Sequence, residues 1–161
     1  MTVEDLKVLP LDPGPLVLVV DDEARPRSII TRMVRSLGYQ ARNCHGGRAA
    51  LSFLKAHPRE VRLLLTDLGM PQMDGGELAE RAKDLDPRLI AVLMADPEDP
   101  HLQDLLSGYA GFPFVPKPVS FADLAEKLER LLGIPAAPTT APPSMDPPRS
   151  RRRRTSGHHE V

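Results

Sequence analysis

The chain has 161 residues, 41% of them hydrophobic, with a net charge of −1 and a single cysteine. That length suits one domain with a real core, and a lone Cys44 excludes an internal disulfide and fits a reducing compartment. No apolar run approaches the roughly 18 residues of a membrane span, and Met1 to Pro15 carries Glu4 and Asp5 with no basic region ahead of an apolar core, so it does not read as a signal peptide and a cytoplasmic location is expected.

Residues 1–14 have no regular period and end in Pro10, Asp12, Pro13 and Gly14, so they read as an N-terminal extension. Residues 16–20 (Leu-Val-Leu-Val-Val) form a short apolar run, the pattern of a buried strand. Asp22 and Glu23 stand where a helix cap belongs, and Pro26 is tolerated in a first turn. Ile29, Ile30, Met33, Val34 and Leu37 recur at helical spacing until Gly38 stops them. Residues 39–44 make a weak strand, expected mainly because the alternation requires one. Ala49, Ala50, Leu51, Phe53 and Leu54 predict a second helix, ended by His57-Pro58.

A third strand is expected over 61–66 and a turn-rich loop over 70–76. Leu78, Ala79, Ala82 and Leu85 then mark a helix closed by Asp86-Pro87. Residues 89–94 predict a fully apolar fourth strand. Asp96, Pro97 and Pro100 delay the next helix, which should be short, near 100–107. A fifth strand is expected over 111–115. Phe121, Leu124, Ala125, Leu128, Leu131 and Leu132 give the clearest amphipathic pattern, started at Ser120 and stopped at Gly133. Five strand–helix pairs of this length predict a parallel sheet with helices on both faces and right-handed crossovers. From residue 134 the composition turns to Pro, Ala, Thr, Ser and Arg, too poor in apolar groups to offset the entropy of ordering, so a disordered tail is expected over 134–161.

Function is carried by the strand ends. The first strand runs into Asp21-Asp22-Glu23, the third into Asp67-Leu-Gly69, the fifth into Lys117-Pro118. Charges at the carboxyl ends of buried strands sit at the rim where open α/β sheets bind ligands. Carboxylates and an ammonium gathered there suit Mg²⁺ and phosphoryl chemistry.

Residues 16–23, residues 67–75 (Asp-Leu-Gly-Met-Pro-Gln-Met-Asp-Gly) and Lys117-Pro118 together resemble the receiver domain of two-component response regulators. The resemblance spans residues 16 to about 133 and implies a flavodoxin-like, doubly wound five-stranded sheet of order 2-1-3-4-5, with a receiver domain over 15–133. It implies that Asp67 accepts a phosphoryl group from a histidine kinase or a histidine phosphotransfer protein. It further implies that Asp22, Asp67 and the Gly69 carbonyl hold Mg²⁺, with Asp21 acting through water, and that Lys117 contacts the transferred oxygens. A carboxylate can serve as such a nucleophile, Mg²⁺ prefers hard oxygen ligands, and the transfer depends on positioning and charge. A cis peptide at Lys117-Pro118 is implied as well.

The plainer roles differ by residue. Asp21 can be simply a helix-start acid. Asp74 reads as a turn and cap residue. Met70 and Met73 read as packing, and Pro71 and Pro118 as loop-shaping residues. Phe114 falls at the family's aromatic switch position, or is core.

The chain departs from the family at the end of the fourth strand. Ala95 stands where a Ser or Thr is usual, and residues 85–106 contain neither. A lost charge-assisted hydrogen bond removes about 1.5–3 kcal/mol of preference for the active arrangement, and a switch needs a few kcal/mol of differential binding. Phosphorylation with weak or altered conformational coupling is the expectation. Asp96 would repel the phosphoryl group if turned inward, and is harmless if it caps.

After Gly133 too little of this sequence remains for a second folded domain, so none is expected and the reading is a stand-alone regulator, a monomer or weak dimer that signals to a downstream protein partner and is not an enzyme. The Arg149 to Arg154 run gives salt-sensitive, non-specific affinity at best, and the absence of interleaved aromatics argues against specific nucleic-acid recognition. His158 and His159 lack the further ligands a metal site needs. The competing class is a receiver-like interaction module that works without phosphorylation. An aspartate-nucleophile phosphatase would need an acid two residues after the nucleophile, where Gly69 stands.

Overall fold

A computed structural model describes residues 14–133. Strands and helices alternate as β1 (Leu16–Val20), α1 (Ala24–Ser36), β2 (Gln40–Cys44), α2 (Gly47–Ala56), β3 (Val61–Asp67), α3 (Gly75–Leu85), β4 (Ile90–Ala95), α4 (Pro100–Gly108), β5 (Phe114–Pro116) and α5 (Phe121–Leu132). All strand pairs are parallel and the sheet order is β2-β1-β3-β4-β5. This is the doubly wound order that the motifs imply. The chain leaves β1 toward one edge and β3 toward the other, so the loops after these two central strands diverge and leave a crevice between them.

Strand side chains alternate between two apolar layers. Val17, Val19, Leu63, Leu65, Val92 and Met94 face α1 and α5, which supply Ile30, Val34, Leu124 and Leu128. Leu18, Val20, Leu64 and Leu93 face α2 and α3, which supply Ala50, Leu54, Leu78 and Ala82. Burial on both faces explains why the strands read as continuous apolar runs.

The helix boundaries follow their caps. Asp74 accepts a hydrogen bond from the Glu77 N–H and starts α3, Asp99 accepts from His101 N–H ahead of Pro100, and Ser120 accepts from Asp123 N–H. Gly133 ends α5 in the left-handed region at φ 63, and Gly38 follows α1 at φ 93, conformations that an L side chain rarely adopts. Pro26 sits in the first turn of α1, as expected.

Several boundaries differ from the sequence reading, those of β2, β3, β4 and α4 by a single residue. β5 is three residues long rather than 111–115, because the Phe112 N–H bonds back to the Tyr109 carbonyl in a turn and pairing with β4 starts only at the Pro113 carbonyl, which accepts from Leu93 N–H. β4 extends to Ala95. α3 begins at Gly75, inside the span read as loop. The extension 1–13 and the segment from 134 on, including Arg149 to Arg154 and His158-His159, lie outside the described residues.

Candidate functional site

The carboxyl ends of β1, β3 and β5 meet in the crevice. Asp67 is the last residue of β3 and is 7% exposed; Asp21 follows β1 and is 1% exposed; Asp22 beside it is exposed. One oxygen from each of Asp21, Asp22 and Asp67 can be chosen so that all three lie within 4.8 Å of one another. The Lys117 ammonium, one residue beyond β5, lies 2.9 Å from Asp67 Oδ1 and 3.4 Å from Asp21 Oδ2. Four sequence-predicted groups, from three segments, therefore share one cleft.

The local backbone fixes each of them. The Asp21 N–H donates to the Cys44 carbonyl, and the Arg27 guanidinium donates to the Asp21 carbonyl at 2.9 Å. Asp21 Oδ1 accepts from the N–H of Glu23, the N-cap residue of α1, at 2.9 Å. The buried Thr66 hydroxyl donates to the Asp67 carbonyl. The Leu68 N–H donates to the Met94 carbonyl and the Lys117 N–H to the Ala95 carbonyl, which ties the β3, β4 and β5 ends together. The Lys117-Pro118 peptide is cis.

Charge balance in the cleft is visible in Lys117. Burial pulls its ammonium toward neutrality, but the hydrogen bond to Asp67 and the charges of Asp67 and Asp21 outweigh this, so its pKa lies above the ordinary value. Three carboxylates against one ammonium leave the cleft net negative. Three carboxylates at this spacing form the hard-oxygen donor set that Mg²⁺ favours, and the geometry leaves the exposed Asp22 open to solvent.

The two positions that the resemblance assigns to a switch, Ala95 and Phe114, are equally definite in the fold. Ala95 is fully buried at the end of β4, in the apolar layer that faces α2 and α3. Asp96 is exposed and turned outward, its carboxylate accepting from Glu98 N–H at 2.9 Å, so it organises the approach to α4. Phe114, half-buried at the start of β5, packs on the same layer as Ala95. Gly69 is exposed, and Leu102 of α4 packs above it: a Cβ at Gly69 would lie 3.1 Å from Leu102 Cδ2.

Some contributors were not read from the sequence. Gly75 is one, because a Cβ there would overlap the Asp67 carbonyl; Gly76 is another, because a Cβ would run into the Tyr109 ring. The Gly75-Gly76 pair was the available signal, but it read only as turn chemistry. Arg27 and Thr66 gave no signal, since their partners are backbone carbonyls.

Comparison with known proteins identifies the family. The response regulator receiver domain model matches residues 17–129. A two-component response regulator of Oryza sativa subsp. indica is 31% identical over 123 residues, covering 75% of this chain and 93% of the relative. The response regulator receiver protein CpdR of Brucella abortus is 30% identical over 125 residues, covering 72% of this chain and 95% of the relative. Among solved structures, the receiver domain of the hybrid histidine kinase CckA superposes with a TM-score of 0.61 at 27% identity, covering 73% of this chain and 98% of that one. The chain belongs to the response regulator receiver family, the signalling module of two-component systems.

Proposed function

We propose that this chain is a single-domain response regulator, over 15–133, that accepts a phosphoryl group on Asp67 and signals through protein–protein contacts. The carrying observation is the placement of the Asp67 carboxylate, at the end of a central strand, 2.9 Å from Lys117 and beside Asp21 and Asp22. An Asp67 oxygen attacks phosphorus, the bond from phosphorus to the donor histidine nitrogen breaks, and that nitrogen leaves with its electron pair. Lys117 stays protonated and meets the transferred oxygens, replacing its present bond to Asp67 with contacts to the phosphoryl group. Asp22, Asp67 and the Gly69 carbonyl are the residues that would hold Mg²⁺, with Asp21 supporting it through water. When bound, that ion would offset the repulsion between the carboxylates and the incoming phosphoryl oxygens. The donor is a sensor histidine kinase or a histidine phosphotransfer protein.

Output is proposed to be atypical. Ala95 presents a methyl group where a hydroxyl would draw the β4–α4 segment toward the phosphoryl group, and Phe114 has no hydroxyl to rearrange. Asp96, turned outward, neither helps nor repels.

The test is incubation of the full chain with acetyl phosphate and Mg²⁺, followed by intact mass, with Asp67→Asn as control. Gain of one phosphoryl group in the wild type alone supports the proposal. Absence of gain together with absence of Mg²⁺ binding contradicts it and favours the module that acts without phosphorylation.

A further inference from the structure

Among the described residues, α4 is the one helix with no fully buried side chain. The segment that leads into it satisfies its own polar groups. Asp96 accepts from Glu98 N–H, Asp99 accepts from His101 N–H, and Gln103 Nε2 donates to the Pro97 carbonyl. Leu102, Leu105 and Leu106 reach the apolar layer only part-buried. At the far end stands Tyr109, the residue that caps α4 with its N–H on the Leu106 carbonyl.

A glycine makes room for the Tyr109 ring. Gly76 lies buried in the first turn of α3, and a Cβ there would overlap Cδ2, Cε2 and Cζ of that ring. Gly76 has no left-handed φ to explain it. Glycine inside a helix is unfavourable, and the seat of the ring is its packing reason. Phe112 holds the ring from the other side, with centroids 6.4 Å apart and its N–H on the Tyr109 carbonyl. Burial first, and then the Asp74, Glu80 and Glu77 carboxylates, with Asp74 also an acceptor, raise the pKa of the phenol. The hydroxyl end therefore lies among the acids of α3.

The start of α3 also bears on Asp67. Gly75 N–H donates to the Leu68 carbonyl at 2.9 Å, and a Cβ at Gly75 would overlap the Asp67 carbonyl. We propose that Tyr109 is a positioning residue: its ring, seated on Gly76, latches the C-terminal end of α4 to the start of α3. The place of α4 is then set by α3 and not by the β4 end, where Ala95 has no hydroxyl to draw it. The exposed side of α4, with His101, Gln103, Asp104 and Ser107, stands formed before any phosphoryl transfer. These contacts exist without a phosphoryl group, so the inference does not depend on acceptance at Asp67.

The test is proton NMR and amide exchange of the full chain with no phosphodonor present. In the wild type, the ring current of Tyr109 is expected to shift the Gly76 α-protons. Tyr109→Phe should keep that shift and the protection of α4. Tyr109→Ala should lose the shift and speed exchange of amides 105–109 about tenfold, with those of α1 and α5 unchanged. Gly76→Ala should speed the same amides, since its methyl group displaces the ring. Both variants remove one contact, so the double variant should exchange no faster at 105–109 than Tyr109→Ala alone. Unchanged α4 exchange in Tyr109→Ala would overturn the inference. So would an equal rise across α1, α4 and α5, or effects that add in the double variant.

Discussion

At the scale of single residues, the site depends on contacts to the backbone as much as on its charges. Asp67 was legible because an acid after an apolar run is conspicuous, and the same holds for Asp21, Asp22 and Lys117. What the sequence hid was the packing around the Asp67 carbonyl, where Thr66 donates from one side and Gly75 lies against the other. A methyl group at Gly75 has no space short of moving the backbone. Gly75→Ala is therefore expected to cost about 1–3 kcal/mol, read as a lowered denaturant midpoint, and to shift the Asp67 amide. Lys117 makes a prediction in pH. Its pKa is raised on folding, so the stability it contributes is fully present below the ordinary lysine value near 10.5 and is lost as pH rises through the folded value. The two tyrosines, whose phenols are also raised, chiefly by burial, add to the alkaline decline. The difference between wild type and Lys117→Met isolates the lysine: the variant should lose less stability above pH 10.5, measured by denaturant titration at stepped pH. Cys44, its thiol pushed up by burial against a smaller opposing pull from Arg27, should react slowly with iodoacetamide at neutral pH in the folded chain.

At the scale of elements, the legible ones are those whose burial is periodic. α5 was the clearest helix in the sequence, and it buries Leu124, Leu128 and Leu132 on one stripe. α4 buries none of its side chains completely and touches the domain through half-buried residues, Leu102 over Gly69 and Leu105 and Leu106 on the apolar layer. Leu128→Ala should thus cost about 2–5 kcal/mol, and Leu105→Ala about 1 kcal/mol or less, compared by chemical unfolding. Amide exchange in α4 should be faster than in the buried turns of α5. β2 was barely legible because it is an edge strand with Gln40, Arg42 and Asn43 exposed, so its sequence carries little apolar signal. β5 was misplaced because Gly111, Phe112 and Pro113 look like a strand start, while Gly111 and Phe112 lie in a turn closed by the Phe112 N–H and pairing with β4 begins only at Pro113.

At the scale of the whole molecule, the fold brings a complete charge centre together while the β4 end supplies no hydroxyl to report on it. Strand order was legible only through the motifs, because alternation alone predicts a parallel sheet without ordering its strands. The consequence is a proposed separation of two properties, with phosphoryl acceptance at Asp67 retained and its spread to α4 and β5 weakened. Ala95 has no polar group to offer, and the outward turn of Asp96 is already satisfied by Glu98 N–H, so a phosphoryl group finds no new partner along this route. The measurement closest to that claim is the amide spectrum of the full chain with and without acetyl phosphate in Mg²⁺, with phosphorylation verified by mass on the same sample. The account predicts one added phosphoryl group and shifts concentrated at 66–75 and around Lys117, with small changes across 96–115. An unphosphorylated chain, or shifts of equal size running through 96–115, would contradict it.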